Sequence, residues 1–224
     1  MDKLHEELIE IADPVLRKVI DHPFWSGLRD GALPGEALAH FVQQDTAYLL
    51  PAYARALARC AAAAVEDGHA LLFGRSIFGT LEAKDKLRNA YTELAGELDA
   101  PPLPADLPAD PGTHAHASFF AAASATSFHA GVGALLPMVW FNFQVSNDLK
   151  ERHAPGSKYA RWIEVYHPGE TYSYAVKAFL GMVDQVGAAA SPAQRREVVD
   201  HFTTSIRYEW GFAETNWRRP AWPV

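Results

Sequence analysis

Cysteine and long apolar runs are scarce in this sequence. Cys60 is the only cysteine among 224 residues, which excludes an intramolecular disulfide and favours a reducing compartment. No apolar run is long enough to span a bilayer, and residues 1–20 alternate charged and apolar side chains, unlike a signal peptide. We therefore expect a cytoplasmic protein that has no membrane partner.

Clustered positive charge and the common catalytic motifs are lacking as well. The chain carries 27 acidic and 20 basic residues, a formal net charge of −7, and its basic residues are scattered. A protein that binds phosphate backbones needs a concentrated basic face, so we expect no nucleic-acid partner. The sequence contains neither a Gly-x-Ser-x-Gly elbow nor a glycine-rich phosphate loop.

Apolar side chains at helical spacing are what the sequence has in abundance. Hydrophobic residues make up 49% of the chain, enough to form a sizeable core without disulfides or metals. No segment shows the alternation of a strand, so we predict an all-α helical bundle that forms a single domain over residues 1–224. The predicted helices span about 3–20, 35–63, 68–98, 113–126, 128–151, 157–166, 170–187 and 192–217.

Proline interrupts the helical pattern in two ways. Five prolines within residues 101–111 exclude a helix interior and predict a stiff surface connection. A domain linker is not expected there, because each flank alone would leave its long apolar helix faces uncovered. Pro51 and Pro137 lie inside helical patterns, where we expect them to kink the helix or open it locally.

Three predicted apolar helix faces are each interrupted by one polar side chain. The interruptions are Asp45, Asn142 and Glu209. An ionised carboxylate on a buried face costs several kcal/mol unless it is paired or takes up a proton. One such residue alone can serve a structural role, whereas three on three helices favour a shared polar pocket, because bundles build ligand sites from inward-facing side chains.

A second set of polar residues suggests a metal site as an alternative. Glu82 and Asp85 are spaced to lie on one helix face, and His129, Asp148 and His167 could join them as ligands. The carboxylate–histidine pair at i and i+3 that is typical of such sites is missing from the sequence. We therefore predict no metal and no other cofactor, with a metal-dependent oxidase as the alternative.

Several short segments, taken in order, resemble the TenA/THI-4 (thiaminase II) family. They include His22-Pro23-Phe24, Asp30-Gly31, Phe41-Val42-Gln43-Gln44-Asp45, Ala134-Leu135-Leu136-Pro137, Tyr159-x-x-Trp162-Ile163-x-x-Tyr166 and Tyr208-Glu209. The resemblance spans nearly the whole chain and implies a heme-oxygenase-like bundle. It also implies a homo-oligomer, usually a tetramer and otherwise a dimer, that hydrolyses aminopyrimidines derived from thiamine breakdown.

The same resemblance implies roles for individual residues. Asp45 would hold the amino group and ring nitrogen of the pyrimidine, and Glu209 would move protons. Tyr48 and Tyr166 would line the ring or stack on it. The small heterocyclic substrate would therefore be the expected partner.

Several positions depart from the family pattern, three of them among the predicted site residues. Met138 stands where the family has its nucleophilic cysteine, and His116 and Asn142 stand where it has tyrosines, so these three would complete the substrate-binding set. A thioether cannot form a thiolate, and Cys60 lies on another helix in an alanine-rich packing environment. We therefore predict a hydrolase that uses carboxylate general acid–base chemistry, with a non-catalytic ligand-binding protein as an alternative.

Overall fold

A computed structural model describes residues 3–104 and 106–224, and all regular structure in these ranges is helical. This confirms the predicted all-α class. The α-helices are α1 (Leu4–Ile20), α2 (Pro23–Asp30), α3 (Gly35–Gln44), α4 (Leu50–Ala63), α5 (Asp67–Leu94), α6 (Pro111–Thr126), α7 (Phe128–Arg152), α8 (Ala160–Tyr166), α9 (Tyr172–Ala189) and α10 (Pro192–Arg218). A π turn over Asp45–Leu49 joins α3 to α4. No helix in the described part of the chain is long and apolar enough to cross a membrane.

Among the α-helices of the described ranges, α2 is the one that the sequence pattern did not predict. It has eight residues, about two turns, which is too short to show a clear helical period. Its ends carry recognisable signals nevertheless. The His22 side chain caps the first turn by accepting a hydrogen bond from the Phe24 backbone, and Gly31 ends the helix with φ +81°.

The predicted helix over 35–63 is continuous but contains the π turn. The Leu50 N–H donates to the Asp45 carbonyl, five residues earlier instead of four. Pro51 follows at once and has no N–H to donate, so the local opening predicted at this proline is confirmed. Helix α7, in contrast, continues through Pro137.

Helices α7 and α10 pack closely along one another in the middle of the bundle. Gly133 on α7 faces the Val198 carbonyl of α10, and a Cβ at that glycine would have no room. Two residues earlier on α7, Gly131 faces the Sγ atom of Cys60. Burial raises the pKa of Cys60 to about 12, which fits the packing role predicted for this thiol.

The proline-rich connection before α6 is fixed to the bundle by side chains of α3 and the π turn. Gln44 donates to the Pro108 carbonyl at 2.9 Å and accepts from the Asp110 N–H at 3.0 Å. Tyr48 donates its hydroxyl to the Leu107 carbonyl at 2.8 Å. The face of the α3–π segment that carries Gln44 and Tyr48 therefore holds the connection in place. The neighbouring face of the same segment points into the interior of the bundle.

Candidate functional site

A cavity of about 1030 Å³ lies between the π turn and helices α4, α5, α7, α9 and α10. Five of the residues predicted for the site line this cavity, namely Asp45, Met138, Asn142, Tyr166 and Glu209. The three polar interruptions of the apolar faces therefore meet in one place. Aromatic rings supply much of the remaining wall, including Trp25, Phe41, Tyr53, Tyr172 and Phe212.

Asp45 points into the cavity from the π turn and is almost fully buried, with 6% of its surface exposed. Burial raises the pKa of its carboxyl to about 7, because the apolar wall disfavours the charged form. Among the residues that the structure describes, no lysine, arginine or histidine lies within ion-pair distance of it. Burial therefore favours the neutral form of Asp45 more than it does for an exposed aspartate.

Glu209 enters the same cavity from α10, and 14% of its side chain is exposed. Its Oε1 atom is buried and lacks a hydrogen-bond partner among the described residues. Burial, together with the charge of Asp45, raises the pKa of Glu209 to about 8. Each carboxyl thus opposes ionisation of the other, and at neutral pH the pair retains at least one proton.

His116 lies directly behind Glu209 and does not line the cavity, which corrects the prediction that it contacts the substrate. Its Nε2 atom is 4.0 Å from the Glu209 Oε1 atom, and only 1% of the residue is exposed. The imidazole stacks on Tyr208, with centroids 5.2 Å apart and planes at 12°, and it also contacts Phe120. Neither ring nitrogen has a hydrogen-bond partner in the described part of the chain, and burial lowers the pKa of His116 to about 3.

Asn142 and Tyr166 form a hydrogen-bonded pair on the cavity wall. The Asn142 amide donates to the Tyr166 hydroxyl oxygen at 3.1 Å, which leaves the hydroxyl proton free to point into the cavity. Burial raises the pKa of Tyr166 well above its ordinary value, so the hydroxyl stays protonated and acts as a donor. Met138 lies one helical turn before Asn142 and presents its thioether to the same space.

Tyr48 does not line the cavity, which corrects the prediction that it contacts the substrate. In a regular α-helix it would share a face with Asp45, but the extra residue of the π turn rotates that face. Leu49 and Tyr53 take its place on the cavity wall, and Tyr53 donates its hydroxyl to the Leu135 carbonyl at 3.1 Å. Pro51 was the only signal in the sequence that the register would change here.

The residues suggested as metal ligands do not come together. Asp148 forms ion pairs with Arg29 and Arg152, and the His167 ring is hydrogen-bonded to Asn147. Glu82 and Asp85 lie at the outer wall of the cavity on α5. In residues 3–104 and 106–224, no three histidine, cysteine or carboxylate side chains are close enough to share a metal ion.

Comparison with known proteins gives matches over almost the whole chain. The model of the TENA/THI-4/PQQC family matches residues 10–219. The aminopyrimidine aminohydrolase of Halalkalibacterium halodurans is 27% identical over 220 residues, 96% of each chain. The aminopyrimidine aminohydrolase of Bacillus subtilis is 25% identical over 201 residues, 90% of this chain and 84% of that protein.

A third relative is much longer than this chain. The thiamine biosynthesis multifunctional protein ThiED of Corynebacterium efficiens is 26% identical over 206 residues, which cover 92% of this chain and 27% of that protein. The chain therefore corresponds to about a quarter of the ThiED protein.

Solved structures of similar proteins have the same fold. A TenA homologue from P. horikoshii OT3 superposes with a TM-score of 0.76 at 23% identity, covering 98% of this chain and 100% of that one. A TenA homologue from Pyrococcus furiosus gives a TM-score of 0.80 at 18% identity, with coverage of 95% and 99%. These likenesses confirm the predicted helical, heme-oxygenase-like architecture.

Proposed function

Because the chain belongs to the TENA/THI-4/PQQC family, we propose that it hydrolyses an aminopyrimidine of thiamine salvage without a cysteine nucleophile. Two relatives named aminopyrimidine aminohydrolase support this reaction class. The observation that carries the proposal is the pair of carboxyl groups, Asp45 and Glu209, which share one aromatic-lined cavity and have raised pKa values. Perturbed acids in a cavity are typical of general acid–base sites.

Asp45 is suited to bind the edge of an aminopyrimidine. An aminopyrimidine presents an N–H donor beside a ring-nitrogen acceptor, and a neutral carboxyl group presents the matching acceptor and donor. Burial favours this neutral form of Asp45. The rings of Trp25, Phe41 and Phe212 line the cavity and offer apolar surfaces on which a flat heterocycle can stack.

Glu209 is suited to move the protons of hydrolysis, because Met138 at the position of the family cysteine cannot act as a nucleophile. In the proposed reaction, the Glu209 carboxylate takes a proton from water as the water oxygen attacks the carbon that bears the leaving nitrogen. The carbon–nitrogen bond breaks, and Glu209 returns the proton to the departing amine. A raised pKa suits a group that must act as base and then as acid.

The direct test is an assay of turnover with aminomethyl aminopyrimidine, formylaminomethyl aminopyrimidine and thiamine as substrates. Turnover is measured as the release of ammonia or of the leaving amine. With a confirmed substrate, we expect Glu209→Gln to lower kcat by about a hundredfold or more, since general acid–base catalysis contributes factors of that order. Asp200→Asn is the matched control, because Asp200 is an exposed acid on the same helix. Unchanged turnover in Glu209→Gln would rule out the proposed role, and tight binding without any turnover would identify a ligand-binding protein instead.

The homo-oligomer implied by the family resemblance is part of the proposal. Leu71, Phe78 and Leu81 are exposed on one face of α5, where their spacing of seven and three residues forms an apolar strip. Sedimentation of the wild type is expected to give a tetramer or a dimer. Phe78→Lys is expected to shift it toward smaller species, and a monomeric wild type would contradict this part of the proposal.

A further inference from the structure

We propose that His116 acts as a positioning residue that stores the proton of Glu209 during turnover, an inference that rests on the proposed acid–base role of Glu209. The two side chains would then work as a dyad. Three features of the structure support this: the complete burial of the imidazole, its lack of hydrogen-bond partners and its place directly behind the carboxyl group.

The burial of His116 calls for an explanation. A buried polar atom without a partner costs about 1–3 kcal/mol, and both imidazole nitrogens are in this condition among the described residues. The site itself is aromatic, because Phe120 and Tyr208 flank the ring, and a phenylalanine would pack there without that cost. The imidazole therefore provides something that packing does not require.

The missing partner of His116 is near at hand. Glu209 Oε1 is itself buried and unpartnered, and it lies 4.0 Å from His116 Nε2, about an ångström beyond hydrogen-bond distance. The His116 imidazole is held in place between two aromatic rings. The Glu209 side chain has more rotatable bonds and borders open cavity space, so it is the one that can move. A small rotation of Glu209 toward α6 would therefore pair its Oε1 atom with His116 Nε2.

The surrounding groups favour a shared proton. The titratable side chains near the dyad are Glu209 and Tyr208 on α10, Asp45 on the π turn, Tyr53 on α4, Tyr166 at the end of α8 and Tyr172 on α9. All of them are acids, so an imidazolium at His116 meets only neutral or negative neighbours among these groups. Burial lowers the pKa of His116, so the imidazolium forms only as an ion pair with an ionised Glu209, and none of these groups brings a cation that would oppose that pair.

The dyad resolves a difficulty in the proposed hydrolysis. A buried Glu209 that stays protonated at neutral pH is ready as an acid but not as a base. When its proton moves from Oε1 to His116 Nε2, Glu209 becomes a carboxylate and can accept a proton from the attacking water. Glu209 then gives that proton to the leaving nitrogen and recovers its own from His116, so the protons balance over the cycle.

The first test needs no substrate and uses nitrogen NMR of the labelled imidazoles in the intact protein. The His116 signals are assigned by their loss in His116→Gln. We expect the His116 nitrogens to shift as the pH rises through about 7 to 9, because Glu209 then loses the proton it shares with them. This shift should vanish in Glu209→Gln and persist in Asp200→Asn. A flat wild-type response, or an identical one in Glu209→Gln, would overturn the dyad.

The second test compares the pH dependence of turnover in the wild type and in His116→Gln, which keeps a polar side chain but cannot store a proton. We expect kcat near neutral pH to fall about tenfold with KM nearly unchanged, and the acid limb of the profile to move upward by about one pH unit. A uniform loss at every pH would assign His116 a purely structural role. If no aminopyrimidine is turned over at all, the proposed function fails, and the NMR titration still decides whether the dyad exists.

Discussion

Two buried polar clusters lie along the same helices, and they differ in how completely their hydrogen bonds are made. The anchoring cluster, formed by His40, Gln44, Asp110, Thr215 and Asn216, fixes the connection that precedes α6. The cavity cluster is formed by Asp45, His116 and Glu209. Each cluster includes at least one residue from the segment formed by α3 and the π turn and at least one from α10, so the same two stretches of backbone position both clusters.

The anchoring cluster is richly hydrogen-bonded. The Asp110 carboxylate accepts from the Thr113 N–H at 2.7 Å and from the Thr215 hydroxyl at 3.1 Å. His40 is buried, and its Nδ1 atom is 2.9 Å from the Asn216 amide oxygen. Such a network stabilises the fold, because each buried polar group recovers the hydrogen bond that it loses to water.

The cavity cluster is the opposite case. Asp45 and His116 are as deeply buried and Glu209 is slightly more exposed, but these three groups have few hydrogen-bond partners, and burial shifts the pKa of each. Groups left in this state cost stability and face a space that a ligand can fill. The comparison therefore separates buried polar residues that hold the structure from those available for chemistry.

The largest expected effect concerns the pH dependence of stability. In the unfolded chain both carboxyls ionise near pH 4, whereas in the folded protein Asp45 and Glu209 ionise at about 7 and about 8. Between these limits the unfolded state binds fewer protons, so the free energy of unfolding falls as the pH rises from about 4 to about 8. The cost at pH 8 is on the order of 4 kcal/mol for each carboxyl.

The double variant Asp45→Asn/Glu209→Gln sharpens this contrast. We expect its free energy of unfolding to exceed that of the wild type by several kcal/mol near pH 8 and to differ little near pH 4. Chemical denaturation at both pH values measures the difference, with Asp200→Asn as control. A double variant that is less stable than the wild type at pH 8 would show that the cavity cluster is structural after all.

An intermediate effect is expected from the anchoring cluster. Asp110→Ala removes the cap of α6 and leaves buried donors unpaired, so we expect a loss of about 2–4 kcal/mol in the free energy of unfolding. Turnover and substrate affinity per folded molecule should change little. A variant that stays stable but loses activity would reverse the assignment of the two clusters.

The smallest expected effects come from two tyrosines, one that binds the connection before α6 and one that lines the cavity. Tyr48→Phe loses the hydrogen bond to the Leu107 carbonyl, and we expect about 1 kcal/mol of destabilisation with unchanged substrate affinity. Tyr166→Phe loses a donor that faces the cavity, and we expect Kd to rise roughly fivefold with little change in stability. Equal weakening of substrate binding in both variants would contradict the claim that the π turn moves Tyr48 away from the cavity.

Most of the fold and part of the site could be predicted from the sequence. Helical periodicity is a repeated signal over long segments, so the class and most helix ranges follow from it. Asp45, Asn142 and Glu209 stood out because a polar side chain on an apolar face is costly. That the three faces meet in one cavity depends on how the helices cross, which periodicity along a single helix does not contain.

The errors have local physical causes. The family resemblance implies that Tyr48 contacts the substrate, and a regular α-helix would put it on the face of Asp45, but the extra residue of the π turn moves it to the other side. His116 and His40 are both buried histidines, and only the arrangement of neighbouring helices gives His40 a partner and leaves His116 without one. Hydrogen bonding between distant segments is a tertiary property that no short motif encodes.

The most direct test of the central claim is calorimetric binding of the aminomethyl aminopyrimidine to the wild type, Asp45→Ala and Asp45→Asn. If Asp45 binds the ring as a neutral carboxyl, Asp45→Ala should raise Kd about tenfold to a hundredfold, because two hydrogen bonds are lost. Asp45→Asn keeps an acceptor beside a donor and should stay within about tenfold of the wild type. Equal affinity of all three proteins, or no binding to the wild type, would contradict the account.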